Sequence, residues 1–263
     1  MDGVSVMDQT ESVIDGERIS APPDCLKFGE MFRAPAELAA FYLTLPLLTH
    51  GRHGDGHPVL TLPGMLADDR STEPMRRVMR ARGLDPHAWG LGQNLGPTRE
   101  IMSGLPRLVR QLHRNSGQRV SLVGWSLGGI LAREIARSLP EHVRQVITLG
   151  SPFRLRSSDP AQLSSVGQAF QRLRPLHTTS FDRLPRESDR APLQCAQTSI
   201  YSRSDGVVPW RACVADDGPR AENIEVMASH CGLGVDPWTL QILMNRLTQS
   251  EESWRPYGQR AAA

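Results

Sequence analysis

Apolar residues along the chain recur with two periods, and the periods alternate. From Pro35 the run AELAAFYLTLPLL places Leu38, Phe41, Leu45 and Leu48 three and four apart, which lines one face of a helix that Pro46 kinks or ends. PVLTLPG, beginning at Pro58, is short, apolar and β-branched and stops at Pro63-Gly64, as a buried strand does. Glu73–Arg82 patterns as a helix and HAWGL (87–91) as a strand. Arg99–Asn115 patterns as a helix with Ile101, Leu105, Leu108, Val109 and Leu112 on one face. RVSLVGWSLGGILAREIARSLP (119–140) reads as strand, tight turn and helix, and VRQVITLGSP (143–152) as a strand closing on glycine. Two short strands, TSIYS (198–202) and ENIEVM (222–227), precede a helix over Pro237–Leu247. Strands alternating with helices predict an α/β chain with a doubly wound, mostly parallel sheet covered on both faces.

Two stretches fall outside this rhythm. Residues 1–33 are polar and lack clear periodicity, so they read as an N-terminal extension to one domain over 34–263. Residues 153–195 are rich in Arg, with prolines at 160, 175, 185 and 192 and one amphipathic stretch carrying Leu163, Val166, Phe170 and Leu173. An insertion of that size above a sheet reads as a cap.

Composition narrows the function classes. Lys+Arg 30 against Asp+Glu 28 leaves a net charge of +2, too balanced for the basic face that nucleic acid requires. A single lysine, Lys27, stands beside 29 scattered arginines, which reads as compositional bias. The opening MDGVSVMDQTESVIDGERIS carries acids where a secretory signal needs a basic start and an apolar stretch, so a cytoplasmic location is expected. Cys25, Cys195, Cys213 and Cys231 lack CxxC spacing and read as reduced thiols, with a Cys213–Cys231 pair left open. HGRHGDGHP (50–58) holds imidazoles and a carboxylate, ligand types that suit a transition metal, but its glycines and proline read as a polar loop entering a strand. No metal is assigned there. The apolar helix from Pro35 leaves open a core role, a dimer contact or a membrane surface, and no lipid surface is otherwise indicated.

The candidate chemistry centres on Gly124-Trp125-Ser126-Leu127-Gly128, a G-x-S-x-G pentapeptide. Alone it is a weak motif; its place between a strand and a helix gives it meaning, because a serine on that strained turn projects above the sheet. A serine hydroxyl needs a base within hydrogen-bond reach and an acid to orient the base. Asp205 follows the strand TSIYS, at the carboxyl end where open sheets place functional groups, and His230 lies in the loop after the next strand. Backbone N–H groups must face the developing oxyanion. Leu127, after the nucleophile, supplies one, and Met65, in the loop after the first strand, is the second candidate. Trp125, Met65, Leu66, Leu127 and Leu233, with Phe170 of the cap, are expected to form the apolar wall of a substrate pocket.

The order Ser126, Asp205, His230, the elbow GWSLG and the LPGM loop resemble the α/β-hydrolase fold of bacterial esterases and lipases over about residues 58–248. The loop reads Leu-Pro-Gly-Met where many relatives carry His-Gly. The small helical cap, expected after the sixth family strand, departs from the family pattern; the resemblance implies no metal or organic cofactor. It also implies a small-molecule ester of short or medium acyl chain, cleaved through an acyl-enzyme on Ser126. Lipase, thioesterase and acyltransferase use the same triad and stay open, as does a non-catalytic binding protein.

Overall fold

The computed structural model describes residues 11–14, 17–156, 159 and 165–258. Six strands form one sheet: β3 (Pro58–Leu62), β4 (Asp85–Ala88), β5 (Val120–Trp125), β6 (Val143–Leu149), β7 (Ala196–Ser202) and β8 (Ala221–Val226). Their spatial order is β4-β3-β5-β6-β7-β8, and every neighbouring pair is parallel. Parallel neighbours need crossover connections, and the helices that make them cover both faces. Alternate residues of the central strands therefore enter different cores. Val59, Val123 and Ile147 pack with Met75 and Met79 of α2 (Glu73–Ala81) and with Leu240 and Leu243 of α7 (Pro237–Leu247). Leu60, Leu122 and Val146 pack with Leu105 and Val109 of α3 (Arg99–Ser116) and Leu131 and Ile135 of α4 (Leu127–Ser138). The doubly wound parallel sheet expected from the sequence is present.

The remaining elements depart from the pattern in informative ways. Among the first 33 residues, β1 (Glu11–Ile14) and β2 (Glu17–Ser20) pair antiparallel, and α1 runs over Asp24–Leu48, beginning well before Pro35. Phe41 and Leu48 of the expected face are buried and Leu45 packs against the core, but Leu38 is exposed. In the first half of α1 the polarity is inverted. Phe28, Met31 and Phe32 are each more than 70% exposed, whereas Glu30 is buried, so no hydrophobic periodicity betrays the helix. The strand expected over HAWGL lies earlier, at Asp85–Ala88, because Trp89 leaves the sheet. Its N–H donates to the Asp69 Oδ1 (2.9 Å), and its indole, 1% exposed, fills the core from a loop. Apolar content there signals burial and not extension.

Between β6 and β7 stand α5 (Ser165–Leu173), α6 (Thr179–Asp182) and short 3-10 turns. This cap is held to α4 by charge: Glu187 receives hydrogen bonds from Arg133 and Arg137, and Arg190 donates to both oxygens of Glu134. Leu163, one of the expected amphipathic residues, lies outside the described residues, as does the side chain of Val166.

Candidate active site

Ser126 sits where β5 gives way to α4, with φ 53° and ψ −121°. A non-glycine residue at such angles carries roughly 1–3 kcal/mol of strain and persists only where its surroundings over-determine it. Here the constraint is close backbone packing. A Cβ on Gly124 would come within 2.3 Å of the Gly129 Cα, and one on Gly128 within 2.3 Å of the Leu62 carbonyl oxygen. The two glycines let strand, turn and helix approach, and the Ser126 N–H is fixed by the Leu149 carbonyl (2.8 Å).

Asp205 and His230 come together at the same end of the sheet. Asp205 Oδ2 lies 2.6 Å from His230 Nδ1, while Asp205 Oδ1 accepts from the N–H groups of Val207 and Val208, each at 2.8 Å. Both side chains are nearly inaccessible. Burial alone would lower the His230 pKa, but the charge and hydrogen bond of Asp205, with the charge of Glu30, raise it above the ordinary histidine value. Gly150 lies beneath this pair: a Cβ there would stand 3.2 Å from both Asp205 Oδ2 and His230 Nδ1. Trp125, next before Ser126, ties the elbow to the His230 loop, its indole N–H donating to the His230 carbonyl (3.1 Å).

The two candidate oxyanion donors flank the serine. Leu127 opens α4, so its N–H is one that the helix itself leaves unpaired. Met65 follows Gly64, where a Cβ would lie 3.5 Å from the Ser126 Cβ. The loop around Met65 turns through Leu66 at φ 61°. Asn94 braces it: its side-chain amide donates to the Pro63 carbonyl (2.7 Å) and its own carbonyl accepts from the Leu66 N–H (2.8 Å). Sequence reading missed Asn94, which stands beside Gln93 in a glycine-rich loop.

A cavity of about 110 Å³ opens beside Ser126, walled by Met65, Leu127, Phe153, Phe170, Phe181 and Val208 among others. Of the expected wall, Met65, Leu127 and Phe170 line it. Leu233 and Trp125 instead pack in or against the core behind the serine, and Leu66 is exposed on the surface. Arg133 also lines the cavity and stacks 4.1 Å over the Phe153 ring. All four cysteines are free, so Cys213 and Cys231 form no pair. The Cys231 thiol, held up to about 11 by burial and by Glu30, is a poor nucleophile at neutral pH.

The 50–58 segment has a different role from the one its glycines suggested. His57 is fully buried, with Nδ1 2.5 Å from Asp55 Oδ1 and Nε2 2.8 Å from Ser121 Oγ. Among the described residues no group of three or more His, Cys, Asp or Glu side chains could hold a metal ion. No helix among them is long and apolar enough to cross a membrane.

Comparison with known proteins agrees with this architecture. The alpha/beta hydrolase family model matches residues 98–176, from the start of α3 into the cap. The biotin biosynthesis bifunctional protein BioHC of Cellvibrio japonicus is 33% identical over 107 residues, 39% of this chain and 20% of that protein. A pimeloyl-[acyl-carrier protein] methyl ester esterase of Aliivibrio fischeri is 28% identical over 81 residues, 31% of this chain and 30% of that protein. The matched stretch thus spans less than a third of either relative. Among solved structures, a Bacillus licheniformis lipase in mature form superposes with a TM-score of 0.56 at 16% identity, covering 76% of this chain and 95% of the lipase. Aspergillus fumigatus lipase B gives 0.53 at 16% identity, covering 76% of this chain and 55% of that one. At such identity the likeness is one of fold: the chain has the α/β-hydrolase fold, similar to that of known lipases.

Proposed function

We propose that this chain is a serine hydrolase that cleaves carboxylic esters of short to medium acyl chain through an acyl-enzyme on Ser126. The observation that carries the reading is the convergence of three features at one end of the sheet: a strained serine beside a cavity, a His230–Asp205 pair at 2.6 Å, and two candidate oxyanion donors flanking the serine. In this reading Ser126 Oγ attacks the ester carbonyl carbon while His230 Nε2 takes its proton. The N–H groups of Leu127 and Met65 stabilise the oxyanion, each donor being worth on the order of 3 kcal/mol. Collapse expels the alcohol, which receives the proton from His230. Water, deprotonated by His230, then adds to the acyl-serine and releases the acid. Asp205 holds the imidazole and stabilises its charged form.

The curated relatives whose names specify a methyl ester esterase support an oxygen ester over a thioester. A second reading, lipase action at a lipid surface, has one observation in its favour: Phe28, Met31, Phe32, Leu43 and Leu47 of α1 are exposed. A p-nitrophenyl ester series from two to sixteen carbons separates the two, since a lipase is fastest on long chains above their solubility limit.

Intact-mass labelling with a fluorophosphonate tests the site. A single adduct on wild type, absent from Ser126→Ala, is expected. An adduct that persists in the variant, or none on active wild type, refutes the assignment.

A further inference from the structure

The loops bearing Asp205 and His230 do not rest only on each other; both are grasped by α1. Its Glu30, Arg33 and Glu37, spaced three and four apart, share one helix face. Glu30 Oε1 accepts from the N–H of Gly206 (2.9 Å), next after Asp205, and from the N–H of His230 itself (2.7 Å). Glu30 Oε2 accepts from the Cys231 N–H (3.0 Å). Glu37 accepts from both the N–H (2.7 Å) and hydroxyl of Ser229. Arg33 donates to the carbonyl (2.7 Å) and hydroxyl (2.9 Å) of Ser204. Every residue directly flanking the proposed acid and base is thus bonded to this one face.

We propose that Glu30 is a positioning residue for the proposed triad, its carboxylate joining the backbone beyond Asp205 to the backbone of His230 so that acid and base are held at a fixed separation. The proposal rests on the serine-hydrolase reading above. Glu30 is 8% exposed and takes its compensation from three backbone N–H donors. A buried polar group without partners is costly, and these three backbone donors supply the partners that the Glu30 carboxyl needs. Its charge also lies close to the His230 imidazole and favours the protonated ring.

The groups around His230 fix what a substitution at Glu30 does. Asp205 faces it directly and Glu30 faces it from α1, with Glu37 and Arg33 one turn away, 3.8 Å from each other. Cys231 and, beyond Asp205, Cys213 have raised pKa values and stay neutral at neutral pH. Of these, Glu30 is the carboxylate whose removal changes the local charge while leaving the His230–Asp205 contact chemically intact. Glu30→Gln keeps one acceptor oxygen, sets an amide NH2 against a backbone N–H and removes the charge.

The test begins with wild type and Ser126→Ala against a fluorophosphonate. Loss of the adduct in the variant secures the site reading independently of Glu30, and its persistence overturns both. The pH dependence of ester turnover is then compared for wild type and Glu30→Gln, with circular dichroism as the check on folding. The expected result is kcat lowered about tenfold with KM within about twofold, and the acid limb of kcat/KM displaced to lower pH by about half a unit. An unmoved acid limb with kcat within twofold of wild type overturns the proposal. So does a loss confined to stability. Should Glu30→Gln not fold, Glu30→Asp, which keeps the charge but falls a methylene short, is read instead. A reduced kcat with an unmoved acid limb supports the proposal; an undiminished kcat, or a moved limb, overturns it.

Discussion

A serine, a histidine and an aspartate stand at each end of strand β5, and the two groups share a close histidine–aspartate contact but differ in the setting of the serine and the titration of the ring. At the amino end Ser121 meets His57 at 2.8 Å and His57 meets Asp55 at 2.5 Å, and Gln145 and Arg144 donate to Ser121 and Asp55. Beyond the carboxyl end lie Ser126, His230 and Asp205. Ser121 lies within the strand, paired with Val59 and with Gln145 next to a shift in register, and is fully buried, so no substrate reaches its hydroxyl. Ser126 is turned out of the strand by its elbow and faces a cavity. The histidines diverge as well. Burial and then the charge of Arg144 lower the pKa of His57, leaving a neutral ring that fills its hydrogen bonds. Asp205 outweighs burial at His230 and raises its pKa, as a base that must carry a proton requires. Hydrogen-bonded residue types alone do not single out a nucleophile; the proposal for Ser126 rests on a strained turn, an opening and a histidine with a raised pKa.

Paired substitutions put that contrast under strain. Ser126→Ala is expected to lower kcat/KM by at least about a thousandfold, while Ser121→Ala leaves it within about threefold. Steady-state kinetics on both variants checks this, and comparable losses would erase the distinction between the two ends. A smaller effect lies in titration. Because the base must be neutral to accept the serine proton, the raised His230 pKa places the acid limb of kcat/KM above pH 6.5, with activity falling as pH drops through it. NMR of the imidazoles should find His230 titrating above 6.5 and His57 below it. The reverse order contradicts the electrostatic half of the comparison. The smallest effect is on stability. Ser121→Ala leaves the buried His57 Nε2 without its partner and should cost about 1–3 kcal/mol, read as a lowered Tm or denaturant midpoint at unchanged activity.

The two ends were not equally legible in the sequence. The carboxyl end announced itself because chain order, a glycine-flanked serine and loops after strands are properties of sequence, and Ser126, Asp205 and His230 all follow from them. The amino end did not, since three glycines around Asp55 and His57 imitate a polar loop and only tertiary packing against Ser121 buries the ring. Helices that bury apolar residues, such as α3 and α7, were read to within a residue. The first half of α1 was not, because the residues it buries or partly buries, Glu30 and Arg33, are charged and find partners 171 to 200 positions away. Asn94 escaped for the same reason: its partners in the Met65 loop lie about 30 residues upstream.

The reach of α1 also sets an order of events in time. Glu30 leaves the ribosome 200 residues ahead of His230, a lag of roughly 10 to 40 s at ordinary rates of synthesis. For most of that interval the helix has neither loop to hold, since Gly206 follows Glu30 by 176 residues and His230 by 200, and each loop, once made, must find a helix synthesised long before it. The proposed catalytic geometry should therefore assemble only late in biogenesis, once the segments bearing Gly206 and His230 have both emerged and docked on α1.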